Sequence, residues 1–311
     1  MSKLERVSNP HPESPFYVAK VTNATLSHGP LGPNLQILLN RKNFFDAGIL
    51  DVNSRSVDTW TISLTGGRNP HAAFVQDALG KFQKGENTVL ADKDHPIRWL
   101  GAGGLLLLSN GSETFAVINK RVGSFIWDGY YSDNGGLSSS IDELLSPTKL
   151  ASRELNQELM INGRSIEHFS PVEVYFPNSC HVTISFKGQD FHETDLILVV
   201  DPKTGTIDFR KIFTLHFTDI SALTLSDNET LHSKDHKEIP LHRPIFLVPL
   251  RELLKIMGSK SKAVPAIGFI DGDKIPHGEL GTFKIAENLL TPSLRAILET
   301  IKDDINFSRL V

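Results

Sequence analysis

The segment that most constrains this chain is a pair of glycines, Gly135-Gly136, feeding a helix that segregates its charges from its leucines. Ser146 reads as the N-cap of that helix and Pro147 as its first residue, where a missing N–H costs nothing. Leu150, Ala151, Leu155 and Leu159 recur at helical spacing and form a stripe that must be buried. Glu154 and Glu158 lie four residues apart, so they share another face, expected to be exposed, with Arg153 beside them. Two carboxylates next to a glycine loop with accessible carbonyls supply the oxygen ligands that a hard divalent cation takes. A cation held there polarises a phosphoryl oxygen and activates water.

Around this helix the pattern is α/β. Gly103–Leu108 and Thr114–Ile118 are apolar runs flanking Asn110-Gly111, a hairpin signal. Strand-like runs follow at Val172–Phe176, His181–Phe186, Leu196–Val200 and Ile212–Phe217, then Pro244–Leu250 leads into a helix over Arg251–Met257. After the Gly258–Lys262 link, a terminal helix is expected from Ser293 to about Ile305, behind Thr291 and Pro292. Upstream, Phe16–Val21, Leu35–Leu39 and Thr59–Leu64 read as strands, and Asn69–Leu79 as a short helix with Pro70 at its first position. The expected organisation is a β-rich accessory region over 1–96, a central α/β domain over 97–257 and a C-terminal extension over 258–311 with a terminal helix. The length, 311 residues, suits two domains or one core with an extension.

Composition narrows the partners. With 32 basic against 36 acidic residues the formal net charge is −4, so no general attraction to nucleic acid or anionic lipid follows. The longest apolar runs, Leu105–Leu108 and Leu196–Val200, are far too short to span a membrane. The first residues lack the apolar core of a signal peptide. One cysteine, Cys180, excludes an intrachain disulfide or a Cys-rich zinc module. A soluble cytoplasmic protein is the expectation, with Asn23, Asn110 and Asn228 matching the glycosylation pattern by chance.

The Gly135–Ile161 segment resembles the Nudix box, G-x5-E-x7-R-E-U-x-E-E-x-G-U with U apolar. Gly136 matches the first glycine, Arg153-Glu154-Leu155 matches R-E-U, Glu158 the second of the paired glutamates and Ile161 the closing apolar residue. The hairpin at Asn110-Gly111, Lys120, Arg121 and Trp127 before the box, and Phe246–Leu253 after it, extend the resemblance over residues 97–257. It implies a mixed sheet sandwiched between helices, and a hydrolase acting on a nucleoside diphosphate linked to another moiety, with Mg²⁺ or Mn²⁺ as cofactor. It further implies Glu158 as a metal ligand, Glu154 as a ligand or water-orienting base, the Gly135 carbonyl as a third contact, and Arg153 as a brace. Three departures stand out. Gln157 replaces the first paired glutamate and offers the ion a neutral carbonyl oxygen where a charged one is usual, Met160 replaces the second glycine, and Gly136 to Arg153 spans 17 positions where the pattern has 14. The early glutamate of the box is Asp142 or Glu143. A further carboxylate is expected from the late loop, where Asp227, Glu229, Asp235 and Glu238 are available and Glu238 is favoured as nearest the last strand.

Elsewhere the signals are weaker. His232, His236 and His242 fall in a polar stretch that reads as a solvated loop. Cys180 beside His181 has no companions for a triad, and its context does not match the Nudix-family isomerases of isoprenoid diphosphates. Gly101–Gly104 precedes a strand rather than opening a helix, the wrong context for a dinucleotide fingerprint. The implied partner is a nucleotide-derived small molecule, and a homodimer is compatible with the reading. The rival function is a Nudix-fold protein that binds a nucleotide or protein partner with weakened catalysis, motivated by Gln157, Met160 and the lengthened loop.

Overall fold

The computed structural model describes residues 99–122, 129–137, 141–175, 180–186, 188–201, 206–228, 230–232, 238–240, 242–257, 262–270, 273–274, 281–285 and 287–303, with strand backbone at 4–6, 19–21, 50–54 and 59–64. The strand expected at 35–39, the helix expected at 69–79 and Trp127 lie outside the described residues.

The principal strands are β1 (Leu50–Ser54), β2 (Thr59–Leu64), β3 (Trp99–Ser109), β4 (Thr114–Lys120) and β5 (Asn134–Leu137). Helices α1 (Ile141–Leu145) and α2 (Pro147–Glu158) come next, then β6 (Leu159–Ile161), β7 (Cys180–Phe186), β8 (Gln189–Asp201), β9 (Thr206–His216) and β10 (Leu225–Asp227). The chain continues through β11 (Ile245–Pro249), α3 (Leu250–Ile256), β12 (Lys262–Ile270), β13 (Gly281–Ile285) and α4 (Pro292–Asp303). One sheet runs in the order β12-β11-β4-β3-β9-β8-β7-β2-β1. It is mixed: β9 lies parallel to β3 and β2 parallel to β7, while neighbours such as β3–β4, β8–β9 and β4–β11 are antiparallel.

Leu105–Leu108 explains how the core is divided. Successive strand residues point to opposite faces. Leu106 and Leu108 join Leu150, Ala151 and Leu155 of α2 in one apolar layer. Leu105 and Leu107 join Leu250 and Leu253 of α3 and Leu294 and Ile297 of α4 in the other. A run of four leucines therefore marks a strand covered on both sides, as central strands of α/β sheets are. The expected sandwich of a mixed sheet between helices is what the chain forms.

Pairings at the edges of the sheet join residues from either side of positions 96 and 257. Backbone of β2, from the N-terminal region, pairs with β7 and continues the sheet. Downstream of residue 257, β12 pairs with β11, β13 with β12, and α4 supplies Leu294, Ile297, Leu298 and Ile301 to the core. The β3–β4 hairpin closes through Asn110–Glu113, with Ser109 opposite Thr114. Of the turn residues only Gly111 takes a positive φ, +85°. Asn110 instead uses its Oδ1 to accept from the Ser112 and Glu113 N–H groups. Among the described residues no helix is long and apolar enough to cross a membrane.

Candidate active site

Strand β5 carries the glycine pair and lies against the first half of β3, with Ala102 opposite Gly136 and Gly103 opposite Gly135. Glycine meets glycine here because other side chains need the space. A Cβ on Gly136 would sit 2.5 Å from the carboxylate of Glu154. A Cβ on Gly103 or Gly135 would overlap the guanidinium of Arg210, and one on Gly101 would strike Asp208 Oδ1. Gly101, Gly103 and Gly135 thus make room for the Arg210–Asp208 ion pair, and Gly104 for the ring of Phe213.

Helix α2 begins as its sequence predicts. The Ser146 hydroxyl accepts from Lys149 N–H at 3.4 Å, with Pro147 at the first position. Glu193 of β8, which the sequence did not flag, accepts from Ser146 Oγ at 2.6 Å and also from Thr148 Oγ1. A carboxylate at this end complements the helix dipole. The face holding Glu154 and Glu158 is not exposed as expected: the two residues are 7% and 4% exposed. They turn toward β5, where glycines leave room, and Glu158 Oε2 accepts the Gly135 N–H at 3.1 Å.

Such burial requires compensation, because an unpaired carboxylate out of water is costly. Arg153 and Arg243 provide it here and Arg210 serves a second carboxylate pair, each arginine bridging two carboxylates. Arg153 spans Glu143 (2.5 Å) and Glu154 (2.6 Å). Arg210 spans Asp133 (3.4 Å) and Asp208 (2.8 Å). Arg243 spans Asp227 (2.7 Å) and Glu158 (3.5 Å). Arg153 thus ties α1 to α2, and Glu143 rather than Asp142 is the acidic residue it reaches. Arg153 Nη1 also donates to Gln157 Oε1 at 2.6 Å, so the neutral oxygen of Gln157, an exposed residue, is spent on the brace.

Arg210 and Arg243 had no clear sequence signal, since strand pairing brings them in from far along the chain. Antiparallel β10 sets Asp227 opposite Leu159, the residue after Glu158. Arg243 follows by binding Asp227 through its backbone N–H, Nε and Nη2. Arg210 lies on the opposite face of the sheet, near the start of α4, where Ser293 Oγ donates to Asp133 Oδ1 at 3.0 Å. Burial pushes the Asp208 carboxyl above its ordinary pKa, against the opposing pull of Arg210. Burial acts to lower the Arg210 pKa, but Asp133 and Asp208 outweigh it and the net shift is upward. The one signal available in sequence was Arg210-Lys211 between Phe209 and Ile212, charges set inside an apolar strand.

The late-loop candidates divide. Asp227 is brought to Glu158 through Arg243. Glu238 has its backbone paired opposite His232, but its side chain, with Glu229, Asp235 and His236, lies outside the described residues, as does the side chain of Cys180. The donor chemistry suits a hard divalent cation. Carboxylate oxygens of Glu154 and Glu158 face the glycine strand, and on that side of the sheet Arg153 and Arg243 each bridge two carboxylates. Among the described residues no three His, Cys, Asp or Glu side chains are already gathered to hold an ion.

No protein-family pattern matches the chain, and no curated protein matches it. Among solved structures it is similar to a mutT/nudix family protein from Listeria innocua, at 15% identity and a TM-score of 0.32, covering 68% of this chain and 96% of that one. It is also similar to a bifunctional NMN adenylyltransferase/ADP ribose pyrophosphatase from Francisella tularensis, at 15% identity and a TM-score of 0.29 over 55% of this chain. That match spans only 39% of the bifunctional protein. The NUDIX domain of Shewanella oneidensis NrtR, complexed with ADP ribose, matches at 11% identity and a TM-score of 0.26, over 52% of this chain and 80% of that one. Likeness of this grade assigns neither substrate nor residue roles. The architecture itself is a mixed sheet between helical layers, with the glycine strand against the Arg-Glu helix.

Proposed function

We propose that the chain is a Nudix-type pyrophosphatase that hydrolyses the diphosphate bond of a nucleoside diphosphate linked to another moiety, with Mg²⁺ or Mn²⁺ as cofactor. The observation that carries this reading is the burial of Glu154 and Glu158 against Gly135-Gly136, with their carboxylates turned toward the glycine strand. Glu158 and Glu154 would hold the ion, with Gly135 and a late-loop carboxylate such as Glu238 as further ligands, and Gln157 as one only if its oxygen leaves Arg153. When bound, the ion supplies Lewis acidity toward the diphosphate. Glu154 takes the proton of the attacking water, held in place by Arg153, which is itself tied to Glu143. On this reading residues 97–257 carry the reaction, residues 1–96 contribute to substrate choice, and residues 258–311 brace the sheet. The setting is cytoplasmic, and a homodimer is compatible with it.

A second reading, a Nudix-fold protein that binds a nucleotide or protein partner without efficient turnover, is favoured by one contact. Gln157 Oε1 is engaged by Arg153 instead of carrying a charge toward an ion. Phosphate release from a panel of nucleoside diphosphate derivatives, with and without Mg²⁺ or Mn²⁺, separates the two. Metal-dependent turnover of one substrate class supports the hydrolase. A folded protein that binds a nucleotide and turns over none of the panel supports the second reading.

A further inference from the structure

Glu158 already has a cation beside it. Arg243 Nη2 lies 3.5 Å from Glu158 Oε2, with the two side chains 6% and 5% exposed. The guanidinium is held there firmly. Asp227 accepts the Arg243 backbone N–H at 2.8 Å, its Nε–H at 3.0 Å and its Nη2–H at 2.7 Å. The preceding residue, His242, adopts φ +51°, uncommon for a residue with a side chain, so the backbone turns sharply just where it delivers Arg243.

We propose that Arg243 is an internal counter-cation that competes with a divalent ion for Glu158, so that ion binding requires the guanidinium to release Glu158 while staying on Asp227. This inference rests on the metal-dependent reading of the site and concerns its regulation. Two positive centres at one buried carboxylate oxygen repel each other, and low local polarity strengthens the repulsion. Release is feasible because the arginine keeps its three contacts to Asp227 and gives up one longer contact to Glu158. Gln157 acts in the same direction. It removes a negative charge from the ion's side of the centre, and Arg243 adds a positive one. The two features together lower the negative charge that the site offers an ion, so that it is loaded only when ion or substrate displaces the guanidinium from Glu158.

Mn²⁺ binding to the full chain, followed by the loss of the free-ion electron paramagnetic resonance signal without any substrate, tests this. Three proteins are compared: the parent, Arg243→Lys, and the double variant Arg243→Gln with Asp227→Asn. The double variant removes both charges of the pair, so it leaves no isolated carboxylate to act as a new ligand. Lysine keeps the charge near Asp227 but cannot fork to both carboxylates. The double variant should bind Mn²⁺ about tenfold more tightly than the parent, within the ordinary range of coupling between sites. Arg243→Lys should bind several-fold more tightly, and adding Glu158→Gln should remove either gain. Thermal unfolding identifies which variants fold, and either one decides. A parent that binds as tightly as the folded variant overturns the competition and leaves the metal reading intact. Absence of Mn²⁺ binding in parent and variants at millimolar ion overturns both.

Discussion

Gly136 and the carboxylate of Glu154 compete for one small volume, so the glycine is part of the site for reasons of space. Gly136→Ala would place a methyl group 2.5 Å from that carboxylate and force it away from β5. Overpacking of this kind costs about 1–3 kcal/mol. Gly136→Ala should therefore lower the urea midpoint and reduce turnover together, whereas a glycine that served only as a flexible loop would tolerate the change. On the far face, Asp208 gives a pH dependence with a definite sign. Its carboxyl is raised in the folded state, mainly by burial, so the folded protein binds a proton there more readily than the unfolded chain. That contribution favours folding at acid pH and is lost as pH rises from the ordinary value of 3.8 through the raised one. The stability of the parent relative to Asp208→Asn should accordingly fall as pH increases across that window, as chemical denaturation at a series of pH values would record. At this scale the sequence was legible where the partners are local. Arg153, Glu154 and Glu158 lie on one helix, and their spacing alone aligns them. Arg210 and Arg243 were not legible, because β9 and the β10–β6 pairing fix where they arrive.

At the scale of elements, α2 is held at three places: its cap with Glu193, its leucine stripe, and its carboxylate flank. The stripe dominates the energetics. Leu155 is 1% exposed and packs in the same cluster as Leu106 and Phe209. Leu155→Ala should cost about 2–5 kcal/mol, read as a lower denaturation midpoint with little change in its slope. The cap and stripe followed from sequence because Ser-Pro and a 3.6-residue period are local signals. The polar first half of β8, Gln189–Thr194, was missed because it lacks apolar alternation, although Glu193 within it clamps the helix. The expected exposure of the Glu154–Glu158 flank was also wrong in detail. Glycines on a neighbouring strand make a cavity that a helix pattern alone does not reveal.

For the whole molecule, the segment after residue 257 is part of the body of the fold. Leu294, Leu298 and Ile301 are buried in the layer that also holds Leu253 of α3. The start of α4 is tied to the strand before β5 by Thr291 N–H to Tyr131 O at 2.9 Å and by Ser293 Oγ to Asp133. Ending the chain at Ile285 should expose this apolar layer and abolish a cooperative thermal transition. A truncated protein that melts like the parent would show the segment to be a dispensable appendage. The α/β class was readable from alternating strand and helix signals, and the sandwich was implied by the resemblance of the Gly135–Ile161 segment. The attachment of the outer strands was not readable, since parallel pairing such as β2 with β7 leaves no short-range signature.

The central claim is that the Glu154–Glu158 flank performs metal-dependent hydrolysis. The most direct test is the rate of diphosphate cleavage as a function of Mg²⁺ concentration, for the parent and for folded Glu158→Gln. The parent should show saturable, Mg²⁺-dependent turnover. The variant should lose at least the roughly 100-fold that outer-sphere changes can cause. Turnover that is equal in the two proteins, or that ignores Mg²⁺, would contradict that claim.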